Sequence, residues 1–160
     1  MGGDFDALAG ALEHPMFIVT ARAGDGERLG CLIGFATQAS IDPPRFAVCL
    51  SHSNRTFRHG RDAELLAVHV VPEGGEELAE LFGGETGDEV DKFARCAWHD
   101  GPGGVPLLDD CPTWFAGRVL CHADAGDHEA YVLEPVAVSA GGGGQLSARR
   151  AMEIDAGHDS

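Results

Sequence analysis

The stretch "MFIVTARAGDGERLGCLIGFATQASIDPPRFAVCLS" occupies residues 16–51. "MFIVTAR" is rich in β-branched and apolar residues and reads as a strand. "AGDGE" carries the Asp-Gly signal of a tight hairpin turn. "RLGCLIGFATQ" reads as a second strand, interrupted by glycine. "SIDPP" must leave the sheet, because Pro43 and Pro44 cannot continue a hydrogen-bonded ladder. "RFAVCLS" is a third strand whose near-continuous apolar run suits a core position. Three antiparallel strands in 36 residues set the class as mainly β.

The rest of the chain continues the pattern. "LLAVHVV" (residues 65–71) reads as a fourth strand. "PTWFAGRVLCHADA" and "DHEAYVLEPVAV" read as two long strands meeting in a hairpin near Gly126 and Asp127. Helical spacing of Phe5, Leu8 and Leu12 after Asp4 predicts a short N-terminal helix capped by that aspartate. Residues 76–82 read as an amphipathic helix stopped by Gly83 and Gly84, and "DEVDKFARC" as a further short helical segment. The expected fold is a six-stranded antiparallel split β-barrel with short peripheral helices. One domain is expected over residues 1–140, followed by a Gly-rich break and C-terminal tail over 141–160.

Composition excludes several classes of function. The chain has 160 residues, 26 acidic and 11 basic, for a formal net charge of -15. Phosphate-backbone contact needs a basic surface, so no nucleic-acid partner is expected, and an anionic membrane surface is equally disfavoured. No apolar run is long enough to span a bilayer, and the first residues lack the basic and apolar signature of an export signal; a cytoplasmic location is expected. Five cysteines, an odd number without a C-x-x-C pair, are read as free thiols.

Against this acidic background, "LSHSNRTFRHGRDAE" (residues 50–64) concentrates Arg55, Arg58 and Arg61 beside hydroxyls and an amide. Ser53 or Asn54 can cap a short helix, and Ser51, Ser53, Asn54, Arg55 and Thr56 form the residue set of a phosphate pocket. The alternative is an ordinary cap with a solvated arginine face. A second segment turns small and polar at Gly34, Ala36, Thr37, Gln38, Ala39 and Ser40, where a core strand keeps branched side chains. Small residues admit a flat ligand close to the backbone; the alternative is a bulged strand entering the proline turn. In the third, "AGDHEAY", His128 either sits at the barrel mouth oriented by Asp127 or belongs to turn chemistry.

The order of these pieces resembles the flavin reductase-like family of FMN-binding split barrels: strand-hairpin-strand, a loop ending "SIDPP", then "VCLSHSNRT", "FGG", "KF", "GVPLL" and "GDH". The resemblance covers about Pro15 to Val138. It implies a homodimer that binds FMN, or FAD, near the subunit interface and uses NAD(P)H as co-substrate. It further implies that Gly34, Phe35, Ala36, Thr37, Gln38 and Ser40 line the isoalloxazine and ribityl chain. By the same resemblance Ser53, Asn54, Arg55 and Thr56 hold the phosphate, Phe82 packs near the flavin, and His128 with Asp127 lies where the nicotinamide stacks. Reduced flavin then stays bound or leaves to serve a flavin-dependent monooxygenase. The chain departs from the family pattern at Leu32, Ile33 and Gly34, where threonine and serine or asparagine are frequent.

Three other readings compete. An FMN electron carrier or sensor needs no nicotinamide site. A flavin-free barrel binding haem, a deazaflavin or pyridoxal phosphate is a second, with His14, His69 and His122 as candidate haem ligands. A zinc module has Cys96, His99, Cys111, Cys121 and His122, but Cys111 and Cys121 lack knuckle spacing and no metal site is expected.

Overall fold

The structure is a computed structural model, and it describes residues 2–85 and 88–152. After helix α1 (Gly2–Ala11), strands β1 (Phe17–Arg22), β2 (Arg28–Ile33), β3 (Ala36–Ser40) and β4 (Arg45–Ser51) follow in succession. Helix α2 (Arg55–His59), strand β5 (Leu65–Val70) and helix α3 (Glu76–Gly84) come next. A small hairpin, β6 (Trp98–Asp100) and β7 (Pro106–Leu108), precedes the long strands β8 (Trp114–Asp124) and β9 (His128–Ser139) and the short helix α4 (Ala148–Ala151). Seven strands form one sheet in the order β2-β1-β5-β8-β9-β4-β3, and every pairing in it is antiparallel.

The expected six strands become seven because the second one divides. Gly34 and Phe35 break it, so β2 pairs with β1 whereas β3 pairs with β4. The two halves therefore lie at opposite ends of the strand order. The sheet curls until those ends share one core: Leu29, Cys31 and Ile33 of β2 pack with Val48 and Leu50 of β4 and with Tyr131 and Leu133 of β9. Alternation along β1 sends Phe17, Val19 and Ala21 into that core.

The opposite face of β1 is also buried, which explains a strand without polar alternation. Ile18 packs with Phe82 of α3, Phe93 and Leu108 in a second core. Helix α3 lies close on β2 because two glycines make room. A Cβ on Gly30 would lie 2.6 Å from the Phe82 ring, and one on Gly83 would lie 2.6 Å from Leu32. The β6–β7 hairpin, absent from the sequence reading, turns through Gly103 and Gly104, both at positive φ.

Two buried polar groups tie the hairpin to the sheet. Thr20 Oγ1 donates to the Pro106 carbonyl. Fully buried His69 bonds the Ile18 carbonyl through Nδ1 (3.0 Å) and accepts the Leu108 N–H at Nε2 (3.1 Å). That pair of bonds requires the neutral Nδ1–H tautomer. Burial pushes His69 down from 6.5 to about 4. The beginning of the tail also docks: Met16 N–H donates to the Leu146 carbonyl, Leu146 N–H to the Val71 carbonyl, and Ala148 N–H to the His14 carbonyl. Glu153 to Ser160 of the expected tail lie outside the described residues. Helix α1 begins at Gly2, so Asp4 sits in its first turn instead of capping it.

Two outcomes follow from this packing. Gly30→Ala overpacks the α3 contact and is expected to cost roughly 1–3 kcal/mol in urea unfolding. Between pH 6.5 and about 4 the unfolded chain protonates residue 69 while the folded chain keeps it neutral, so stability falls as pH drops through that window, by at most about 1.4 kcal/mol per pH unit. Urea midpoints measured against pH should show this slope in the wild type and a shallower one in His69→Gln.

Candidate functional site

The pairing of β4 with β9 sets the site. Ser51 lies opposite His128, and Leu50 opposite Glu129. The backbone N–H of Cys49 donates to the Phe35 carbonyl, which brings the start of β3 to the same end of the sheet. There the Phe35 and His128 rings lie 5.0 Å apart between centroids. His128 Nδ1 bonds Asp127 Oδ1 at 2.6 Å. That hydrogen bond holds the Asp127 carboxyl below its ordinary range. Thus His128, Asp127 and Phe35, proposed separately from the sequence, meet in space.

Strand β3 is the last strand of the sheet. Thr37, Gln38 and Ala39 are exposed, with Ala36 and Ser40 half-buried. One backbone edge of β3 faces β4, and its outer edge has no strand beside it among the described residues. Free N–H and C=O groups on such an edge are suited to bonding a flat heteroaromatic ligand. Phe35 is exposed, and with Gly34 it borders an apolar cleft of about 420 Å³ that Met16, Leu12 just after α1 and Met152 also line.

The polar turn after β4 divides its labour. Ser51 and Ser53 hydroxyls lie 2.9 Å apart. The Asn54 side chain accepts the Thr56 N–H and caps α2. Thr56 is 2% exposed, and its side chain bonds the Cys31 thiol. Helix α2 is only five residues long, so its dipole is small, and the charge at this turn comes from arginine.

That charge is already engaged. Arg55 donates through Nε to Glu27 Oε1 (2.7 Å) and through one terminal nitrogen to Asp88 Oδ1 (2.6 Å). Arg58 donates to Asp88 Oδ2 (2.6 Å). The two guanidiniums hold the Asp88 carboxyl down to about 2, so it stays ionised at every working pH. Arg55 and Thr56 border a cleft of about 430 Å³ with Glu27, Asp88, Asp91 and Lys92. Arg61 lies over the Phe57 ring instead. The arginines are visible in the sequence as a local cluster, whereas Glu27 and Asp88 come from distant segments with no local signal.

Phe82 is 1% exposed and packs edge-on against Phe93; of the two rings, Phe93 is the one that borders the cleft. Lys92, the single lysine of the sequence, is buried and donates to the carbonyls of Gly30 and Phe82. The three haem candidates do not converge: His69 is locked in the core, His14 bonds the Pro15 carbonyl and His122 bonds Glu129. Cys96, His99, Cys111, Cys121 and His122 form no ligand cluster among the described residues.

Comparison with known proteins now bears on this geometry. A family model described as "Flavin reductase like domain" matches residues 9–153. The FMN reductase (NADH) RutF 2 of Rhizobium rhizogenes is 32% identical over 120 residues, covering 72% of this chain and 69% of that protein. The stachydrine N-demethylase reductase subunit Stc3 of Rhizobium meliloti is 26% identical over 133 residues, covering 83% of this chain and 56% of its own length. A longer relative from the same organism is 30% identical over 119 residues, and the chain spans 37% of its length. Among solved structures, a flavin reductase domain protein from Arthrobacter sp. FB24 superposes with a TM-score of 0.83 at 23% identity, over 94% of this chain and 92% of that one. The rolled antiparallel sheet thus has the split-barrel fold of that flavin reductase domain protein. The chain belongs to the flavin reductase-like family.

The ion pairs around Arg55 make a prediction. Asp88→Asn should loosen Arg55 and Arg58 and raise affinity for FMN while leaving riboflavin, which lacks the phosphate, unchanged. Quenching of flavin fluorescence measures both. Equal shifts for the two flavins would remove Arg55 from phosphate binding.

Proposed function

We propose that this chain is an NADH-oxidising flavin reductase with FMN as its preferred flavin. The observation that carries the reading is the meeting of Phe35, His128 and the Ser51–Ser53 turn beside the open edge of β3. The matched family and the NADH-linked relative support it.

The residues present fit a flavin. The outer edge of β3, from Ala36 through Thr37 and Gln38 to Ser40, offers main-chain donors and acceptors to the ring system. Ser53 and Arg55 supply a hydroxyl and a positive charge for the phosphate, with Asn54 and Thr56 shaping the turn that presents them. Phe35 supplies an apolar wall. FMN, when bound, supplies the hydride acceptor. The chain's own contribution is orientation: His128, held by Asp127, fixes the position of the nicotinamide, and closeness of the reacting groups provides much of the acceleration. Among the described residues no nucleophile is activated: burial pushes the Cys31 and Cys111 thiols up, to about 11 and about 12. Reductive transfer needs none.

The working form is a homodimer in this reading. Helix α1 buries none of its residues against the rest of the chain; Phe5 and Leu8 stand exposed on it, as does Leu12 just after it. Leu120, Val136 and Val138 add exposed apolar surface on β8 and β9. A second copy covering these groups removes that cost. No helix among the described residues is long and apolar enough to cross a membrane. Five free thiols support a reducing compartment, the cytoplasm. Because one relative is the reductase subunit of a demethylase, the product is proposed to feed a separate enzyme, a flavin-dependent monooxygenase.

Steady-state oxidation of NADH with added FMN tests the proposal. Turnover that depends on FMN is the expected result; FMN binding without NADH oxidation would make the chain a carrier instead. Arg55→Ala should weaken FMN binding by about 1.5–3 kcal/mol, the worth of a charged hydrogen bond. His128→Ala should lower turnover about tenfold, a loss of about 1.4 kcal/mol in transition-state stabilisation, with a smaller change in FMN affinity. Unaltered turnover would leave His128 as a turn residue only.

A further inference from the structure

His128 and Glu129 are neighbours on β9, so their side chains leave opposite faces of the strand. His128 meets Phe35. Glu129 shares its face with Tyr131, a residue of the barrel core, and therefore closes the end of the barrel interior. Across the β8–β9 hairpin, Asp124 is the register partner of Glu129, and His122 that of Tyr131. His122 and Asp124 are two residues apart and share one face. His52, just beyond β4, completes the group.

Glu129 is 8% exposed. Its Oε1 lies 3.1 Å from His52 Nε2, and its Oε2 lies 2.6 Å from His122 Nδ1. One ligand atom each from His52, Asp124 and Glu129 falls within 4.8 Å of the other two. Tetrahedral ligands about 2.0–2.1 Å from a zinc-type ion stand about 3.4 Å apart, so closure needs only small adjustments of these side chains: His52 and Glu129, now hydrogen-bonded, part slightly, and Asp124 moves in. The remaining contacts already restrain the group. Asp124 Oδ1 accepts the Gly126 N–H at 2.8 Å. The His52 backbone N–H donates to the Asp127 carbonyl, and its ring packs on Phe57. His122 stacks on Tyr131.

We propose that His52 Nε2, the Asp124 carboxylate and Glu129 Oε1 form a site for one divalent transition-metal ion of the zinc type. His122 is its supporting residue: it donates to Glu129 Oε2 and leaves Oε1 to face the ion, as outer hydrogen bonds to ligating carboxylates do elsewhere. An imidazole and two carboxylates favour Zn²⁺, Co²⁺ or Ni²⁺ over the thiolate-seeking ions. Three protein ligands leave one position open to water or to a small anionic ligand. The sequence alone points elsewhere, because the three ligands come from residues 52, 124 and 129 and have no motif spacing. Glu129 lies on the other face of β9 from His128, whereas His52 sits within the Ser51–Ser53 turn of the proposed flavin site, so the metal is tested on the flavin-free chain.

The test is titration of the 160-residue chain, treated with chelator and freed of flavin, with Co²⁺ at neutral pH, read by the visible absorption of the bound ion. Saturation at one equivalent is expected. Asp124→Asn, at an exposed position, and His52→Gln should each weaken binding at least about tenfold, and Zn²⁺ should displace Co²⁺. His99→Gln, in the exposed His99–Asp109 pair on the other hairpin, should titrate like the wild type. Circular dichroism confirms that each variant is folded; Asp124→Asn decides the outcome alone if His52→Gln is not. Absence of a one-equivalent site, or a site indifferent to Asp124→Asn, overturns the proposal and leaves a hydrogen-bonded His–Glu–His group that fastens the hairpin to the turn after β4.

Discussion

The antiparallel register between β4 and β9 places Ser51 opposite His128 and Leu50 opposite Glu129. Most of the functional architecture depends on that pairing. It brings the polar turn after β4 beside the β8–β9 hairpin, and strand alternation then sorts the side chains by face. One face receives His128 and Phe35; the other receives Glu129 above the barrel core. A slip of one residue would exchange the two faces, burying His128 over Tyr131 and exposing Glu129. The register is held by the core residues of the same strands, Val48, Leu50, Tyr131 and Leu133. The site's geometry is thus fixed by apolar packing some residues away from it.

The electrostatics of the turn after β4 run against the simplest expectation for a phosphate site. A chain with a formal net charge of -15 cannot leave a cluster of arginines unanswered, and Glu27 and Asp88 answer Arg55 from two different segments. In the proposed flavin site, a phosphate arriving at Arg55 would compete with carboxylates already seated. Such competition weakens binding and speeds release. In the proposed flavin site, this suits a flavin that exchanges with solution better than one held permanently.

Much of this fold is legible in the sequence because its signals are local. The Asp-Gly turn between β1 and β2, the β-branched runs, the proline exit after β3 and the Asn54 cap each lie within a few residues of what they specify. The division of the second strand at Gly34 is marked by composition, but its result is not: β2 and β3 separate to opposite ends of the sheet only because the barrel curls. The β6–β7 hairpin hides among glycines and prolines, and its strands are three residues long. The buried role of His69 depends on Ile18 and Leu108, neither close to it in sequence. For the same reason Arg55 is visible as a candidate, whereas Glu27 and Asp88 are not. Glu129, between His128 and Ala130, looks like one more acidic residue of an acidic chain until β8 and the residue after β4 are folded against it.

Lys92 has a practical meaning for chemical labelling. It is the sequence's single lysine, and its ammonium is enclosed between β2 and α3, bonded to the carbonyls of Gly30 and Phe82. Burial pushes its pKa down, but enclosure keeps acylating reagents away from the amine. Modification of that side chain therefore proceeds only through an opened state in which α3 and the segment around Lys92 have lifted from the barrel, so its rate clocks how often this one seam of the molecule comes apart.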